Sequence, residues 1–331
     1  MRRREFIAGL GAVATALPVA ARAQQRGRMR RIGVLTNLPI DDAQMQARNG
    51  AFLESLQKLD WTPGRNVEIE YRWGAEFADR NREYAAELVA LAPDVIVDMG
   101  GSPGLAALQR ATRTVPIVFA NIVDPVGQGF VEGLARPGGN ITGFTIFEYG
   151  LSVKWLELLK EIVPGVLEVG VARDAATAIG NGQWGAIQSV APSFGVELRP
   201  VDLHESSAIE RTVSAFARGA KNGGLIVTGG TFAIVHRALI TTVAARHRLP
   251  AVYPFRFFVT GGGLISYGPD LVEPHRRAAG YVDRILRGEK PADLPVQAPT
   301  KYELAINLKT ARELGLEMPA TVLARADEVI E

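Results

Sequence analysis

The 331-residue chain contains no cysteine. That excludes disulfides, thiolate metal sites, a cysteine nucleophile and lipid attachment through a cysteine. No stretch approaches the ~20 apolar residues that a membrane-spanning helix needs. The nearest candidate, Ala8 to Ala21, is short and is broken by Gly9, Gly11 and Pro18. Histidine is sparse. His204, His236, His247 and His275 lie far apart, without the spacing of a metal site, and read as surface residues. No Walker loop occurs, and no Gly-x-Gly-x-x-Gly follows the first strand, so no nucleotide, redox cofactor or metal is expected. A basic face is also missing. Of the chain's net charge of +2, residues 1–23 supply +3 (four arginines against Glu5), which leaves −1 for the rest and no footprint for nucleic acid.

Those first residues form a recognisable leader. Arg2-Arg3-Arg4 is a basic start, Ala8–Ala21 an apolar middle and Ala21-Arg22-Ala23 a small-residue cleavage site. Arg3-Arg4 followed by Glu5, Phe6 and Ile7 is similar to a twin-arginine export signal, and a plain secretory leader is the alternative. A chain exported without a lipid anchor is expected to be free in the periplasm.

After the leader, short apolar runs alternate with segments of helical period, the signature of parallel sheets covered on both faces. Strands are expected at Ile32–Leu35, Val67–Tyr71, Val95–Val97, Pro116–Phe119 and Ile141–Phe144. Helices are expected at Ala43–Leu59, Asn81–Leu91, Leu105–Thr112 and Gly127–Ala135. Only Val67–Tyr71 alternates, as a half-exposed edge strand should. A helix at Leu151–Ile162 closes on Pro164-Gly165, and the pattern restarts with strands at Leu167–Val171, Val196–Val201, Leu225–Val227 and Ala251–Tyr253. Helices lie between at Gly182–Phe194, Ala208–Arg218 and Ile234–Arg246. The fold class is therefore α/β with two lobes. Gly261-Gly262-Gly263 then precedes a strand at Leu264–Tyr267 and a helix at Pro274–Leu286. Gly288–Pro299 reads as a linker, and Tyr302 onward as a strap on the body.

One motif suggests catalysis. Gly100-Gly101-Ser102-Pro103-Gly104 fits the Gly-x-Ser-x-Gly nucleophile elbow. That elbow uses the backbone N–H after the serine as an oxyanion donor, and Pro103 has none. Ser102 as N-cap with Pro103 opening the helix suits a bound anion better. An exported serine hydrolase stays as the rival reading. Asn121 and Asp124 follow a strand at its carboxyl end, where α/β sheets bind ligands, although Asp124-Pro125 would also cap a turn. Asn37, Thr145 and Tyr267 close other strands. Trp184 and Tyr253 offer stacking surfaces.

The chain resembles the substrate-binding proteins of ABC importers related to tryptophan/tyrosine-type binders. The likeness is carried by Asp124-Pro125-Val126-Gly127, Arg136–Gly143, Leu249–Pro254, Gly262–Gly268 and Ile306–Ala311, and spans nearly the whole chain after the leader. It implies two Rossmann-like lobes joined by three crossovers, near Gly143–Thr145, near Leu264–Tyr267 and within Lys290–Pro299, the type I periplasmic binding protein architecture. The lobes would comprise 30–144 with 266–289, and 145–265 with 291–331. The chain departs from the family at Arg173-Asp174, where an Asn-Pro pair is common, so Asp174 is a ligand-contact candidate. The resemblance implies a monomer, not an enzyme, that carries a small polar or amino-acid-like ligand to an inner-membrane ABC permease. A ligand sensor for a membrane receptor is the other non-enzymatic reading.

Overall fold

The computed structural model describes residues 29–74 and 78–331; the leader read in residues 1–23 lies outside them. None of the helices described is long and apolar enough to cross a membrane.

The first sheet has five parallel strands in the order β2-β1-β3-β4-β5. They are β1 (Arg30–Thr36), β2 (Val67–Arg72), β3 (Val95–Met99), β4 (Ile117–Ile122) and β5 (Ile141–Thr145). β3, β4 and β5 are buried along their length, and β2 is the half-exposed edge that its alternation predicted. The helix Ala43–Lys58 starts where Asp42 accepts bonds from the N–H groups of Gln44 and Met45. It turns Met45, Arg48, Ala51, Phe52 and Leu56 inward.

The second sheet has seven strands in the order β12-β11-β10-β9-β8-β6-β7. β6 (Glu168–Arg173), β7 (Glu197–Asp202), β8 (Gly223–Val227), β9 (Ala251–Tyr253) and β10 (Ile265–Pro269) run parallel. β11 (Tyr302–Asn307) joins β10 antiparallel, and β12 (Glu328–Ile330) extends it. The expected strap is thus two more strands of the sheet.

Three expectations change. Gly127–Ala135 is not a helix. One turn forms through Gln128 N to Asp124 O and Phe130 N to Pro125 O, and the chain then leaves through Gly129 at φ 72°. The expected helix Ile234–Arg246 divides at His236 into Thr231–Val235 and Arg237–Arg246. The second crossing comes after β10, not at Leu264–Tyr267. Ile265 and Ser266 pair with Val252 and Tyr253 on one side and with Ile306 and Ala305 on the other, so the strand belongs wholly to the second sheet. The first lobe resumes with the helix Glu273–Leu286, which packs on Ala43–Lys58 and β3–β5.

The third crossing begins at the end of the expected Lys290–Pro299 stretch, after Gln297. Residues 291–297 lie against β5: Thr142 Oγ1 donates to Leu294 O, Gln297 N to Gly143 O (3.0 Å), and Thr145 N to Gln297 O (2.9 Å). Thr145 therefore sits where two crossing segments run side by side. Tyr281, on the Glu273–Leu286 helix, donates its hydroxyl to Pro295 O at 2.6 Å and steadies that pair of segments.

Candidate functional site

A cavity of about 780 Å³ lies between the lobes, at the carboxyl ends of strands from both sheets. The first lobe contributes Asn37 after β1, Met99 at the end of β3 with Gly101 and Ser102 after it, and Asn121 at the end of β4. The second contributes Arg173 and Asp174 at the end of β6, and Thr228 to Thr231 after β8.

The glycine-rich turn is built around a residue that pattern reading passed over. Asp98, buried near the end of β3, accepts from Gly100 N at 3.1 Å. Burial pushes its carboxyl well above the usual range, and the Gly100 and Gly101 N–H groups pull the other way. A Cβ on Gly104 would come within 2.6 Å of Asp98 Oδ1. The glycines thus make room for the Asp98 carboxyl, which is a different demand from that of a nucleophile elbow. Gly101, at φ 75°, is the residue before the helix Ser102–Ala111, so Ser102 is its first residue and not its cap. Ser102 Oγ is buried and has no hydrogen-bond partner among the described residues.

Asn121 lies where β4 and β5 shift register, with φ at 70°, a left-handed conformation that asparagine tolerates. Its side-chain nitrogen lies 3.4 Å from His275 Nε2, and its Oδ1 has no partner among the described residues. His275, expected on the surface, is fully buried. Its Nδ1 lies 2.8 Å from Leu271 O, which fixes the proton on Nδ1 and leaves Nε2 to accept. Burial, with help from the Arg48 charge, lowers its pKa from 6.5 to about 3.

Arg48 also lines the cavity and is 2 % exposed. Burial lowers its guanidinium to about 10, still charged at neutral pH. Its Nε and Nη2 find no partner among the described residues. Sequence reading missed it, although the signal was there: an arginine in register with Met45, Phe52 and Leu56 on the inward stripe of a helix.

Of the residues singled out from sequence, the cavity gathers Asn37, Ser102, Asn121 and Asp174. The other five do not line it. Asp124 is exposed and accepts from Gly127 N at 2.8 Å, closing its own turn. Thr145 is at the crossing. Trp184 lies under the Arg173 guanidinium, 4.7 Å from its ring centre. Tyr253 is 1 % exposed and stacks on Phe258 in the core. Tyr267 stacks on Tyr302, and its carbonyl accepts from Trp155 Nε1 at 2.7 Å. Aromatic residues at strand ends served packing here, which is where their large apolar area is best used.

The lobes touch across the mouth. Asn37 Nδ2 donates to Thr231 Oγ1 at 2.9 Å, and Arg237 pairs with Asp42 at 2.9 Å. Because this ion pair is partly buried, its loss should cost about 1 kcal/mol of closure, or about a fivefold shift toward an open form. An Arg237→Ala protein is expected to show a larger radius of gyration by small-angle scattering. An unchanged radius would mean that the pair does not hold the lobes together.

The family model of ABC transporter substrate binding proteins matches residues 31–330. The chain belongs to that family. It is thus a substrate-binding component of an ABC transporter and not an enzyme, and the hydrolase reading of Ser102 falls away. A tyrosine-binding protein from Clostridioides difficile is 24% identical over 273 residues, covering 82% of this chain and 77% of that protein. A conserved domain protein from Vibrio cholerae has 26% identity and a TM-score of 0.84, over 91% of this chain and 100% of that one. An ABC domain from Streptococcus pneumoniae in complex with L-Trp has 24% identity and a TM-score of 0.83, over 91% and 99%. These likenesses place the two-lobed sheet arrangement among substrate-binding proteins.

Proposed function

We propose that this substrate-binding protein captures a small organic ligand in the cleft between its lobes and presents the closed form to an inner-membrane ABC permease. One observation carries this reading: a cavity of about 780 Å³ whose wall brings together buried polar atoms without partners among the described residues, Asn37 Oδ1, Ser102 Oγ and Asn121 Oδ1. Buried polar groups are normally satisfied, so a cluster of exceptions marks a surface shaped for a partner. On this reading Asn37, Ser102, Asn121 and Asp174 contact the ligand, and Thr145 belongs to the hinge. Closure works by differential binding: contacts from both lobes exist together only when the lobes are shut, so the ligand favours that form. The leader motif supports export to the periplasm, where such a protein acts as a monomer, because one chain supplies both walls of the cleft. The names of the tyrosine-binding relative and of the L-Trp complex make amino acids and related small carboxylates the first compounds to try.

The test is a thermal-shift screen of amino acids, hydroxy acids, sugars and polyols. A true ligand at about 100 times its Kd should add about 2.7 kcal/mol of stability. If no compound raises the melting temperature, capture of a small diffusible ligand is the wrong function.

A further inference from the structure

Arg48 is a buried cation whose natural counter-ions are engaged elsewhere. Asp42 is close enough to act on it electrostatically, but its Oδ1 caps the Ala43–Lys58 helix and its Oδ2 pairs with Arg237. Asp270, the other carboxylate that acts on it, accepts from Val272 N at 2.7 Å. No ion pair joins Arg48 to either among the described residues. A guanidinium held almost fully away from water with donors unmatched costs several kcal/mol, and a protein keeps one where something completes it. The planar fork of arginine fits a carboxylate in a two-bond arrangement that lysine cannot reproduce.

The surroundings narrow what completes it. Arg48 and Asn121 both line the cavity, and His275 is linked to both, 3.4 Å from the Asn121 side-chain nitrogen and under the influence of the Arg48 charge. His275 accepts through Nε2, which occupies the Asn121 amide N–H and leaves Asn121 Oδ1 as an acceptor in need of a donor. The cavity lining also includes Phe147, Phe232, Ile234 and Phe255, which offer apolar contact. Among the carboxylates of the described residues, only Asp174 lines the cavity, against Arg48, Arg110 and Arg173.

We propose that Arg48 is the anion anchor of the cleft, and that it selects an organic carboxylate with a hydrogen-bond donor beside the carboxylate and an apolar body. The carboxylate lies on Nε and Nη2 of Arg48, the donor is received by Asn121 Oδ1, and the apolar body lies along the phenylalanine wall. This rests on the reading of the protein as a cleft binder and adds which side chain sets the charge of its ligand.

The test uses calorimetric titration of the mature protein with L-phenylalanine, 3-phenyllactate, the primary amides of both, and myo-inositol, on wild type, Arg48→Lys and Arg48→Met. The carboxylates should bind wild type at least about tenfold more tightly than their amides. They should weaken about 100-fold in Arg48→Met and only partly recover in Arg48→Lys, as expected for two charge-assisted bonds. Amide affinity should stay within about twofold, since the amides do not use the charge. The ligand-free Arg48→Met protein should melt no lower than wild type, because it sheds an unmatched buried cation. A lower melting temperature with unchanged carboxylate affinity would make Arg48 a structural residue and overturn the proposal. So would tighter binding of the amides or the polyol, which leaves cleft binding intact. If no probe binds folded wild type, the anchor proposal falls, and cleft binding falls with it only if the wider thermal-shift screen is also blank.

Discussion

A Gly143→Ala protein is expected to lose most of its stability. Gly143 is in β5, opposite Phe119 of β4, with φ at 155°. A Cβ there would lie 2.0 Å from Phe119 O and 2.7 Å from Phe119 N. Both are backbone atoms of an adjacent buried strand, so no side chain can swing aside to relieve the contact. The same residue's carbonyl accepts from Gln297 N, so a displaced β5 would also disturb the crossing segment beside it. Backbone clashes of this kind belong to the tail of mutational effects, on the order of 4 kcal/mol or more. Urea unfolding should show a midpoint far below that of wild type, or no cooperative transition. A wild-type midpoint would show that β4 and β5 can separate at little cost. Gly129 is a useful control. It has a positive φ of 72°, but a methyl group added there would meet no atom within 4 Å, so Gly129→Ala should cost only about 1 kcal/mol.

The second large effect is in acid. His275 binds its proton at about pH 3 in the folded protein, against 6.5 when free of the fold. Between those values the unfolded chain holds a proton that the folded chain does not, so stability rises with pH in that window and is lost as pH falls through it. The slope is about 1.4 kcal/mol per pH unit. Asp98, shifted upward by burial, acts in the opposite sense: its contribution is lost as pH rises, because there the folded chain retains the proton. The two partly cancel in wild type, so the informative quantity is a difference. In His275→Gln the amide can still donate to Leu271 O and accept from Asn121, and Asp98 is unchanged. Relative to wild type, that variant should gain about 2.7 kcal/mol on going from about pH 7 to pH 4.5. Parallel stability curves for the two proteins would show that His275 does not titrate in this range.

Most of the frame was legible in the sequence, because a strand buried on both faces has one readable requirement, an unbroken apolar run. Val95–Val97, Ile117–Phe119, Leu225–Val227 and Ala251–Tyr253 all show it, and each became a strand. Gly127–Ala135 misled because its apolar residues fall at helical spacing, while the decisive fact is geometric. A Cβ on Gly127 would sit 2.1 Å from the Asp124 carboxylate, and Gly129 turns left-handed. The second crossing was placed inside Leu264–Tyr267 by resemblance, and nothing in those residues shows which strands they pair with. Strand pairing, a non-local matter, kept Ile265–Pro269 in the second sheet and laid residues 291–297 along the first.

The site was half visible. Asn37, Ser102 and Asn121 follow from the rule that ligands gather at strand ends. Arg48 and Asp98 are ionisable residues in otherwise apolar positions, and sequence does not show that both are buried without an ion-pair partner among the described residues. Tyr253 and Tyr267 sit at strand ends as well, yet their rings turn to Phe258 and Tyr302. Strand-end position alone does not say which way a ring points.

The late return of the chain to the first lobe orders its assembly in time. The Glu273–Leu286 helix covers β3, β4 and β5 and packs on Ala43–Lys58, and its contacts with that helix span more than half the chain in sequence. A ribosome that has delivered all five strands of the first sheet has still not delivered the helix that seals them. That loop must close before the lobe is stable, which favours slow folding and a long-lived chain with exposed apolar surface. The part synthesised first waits for a helix made after most of the second sheet.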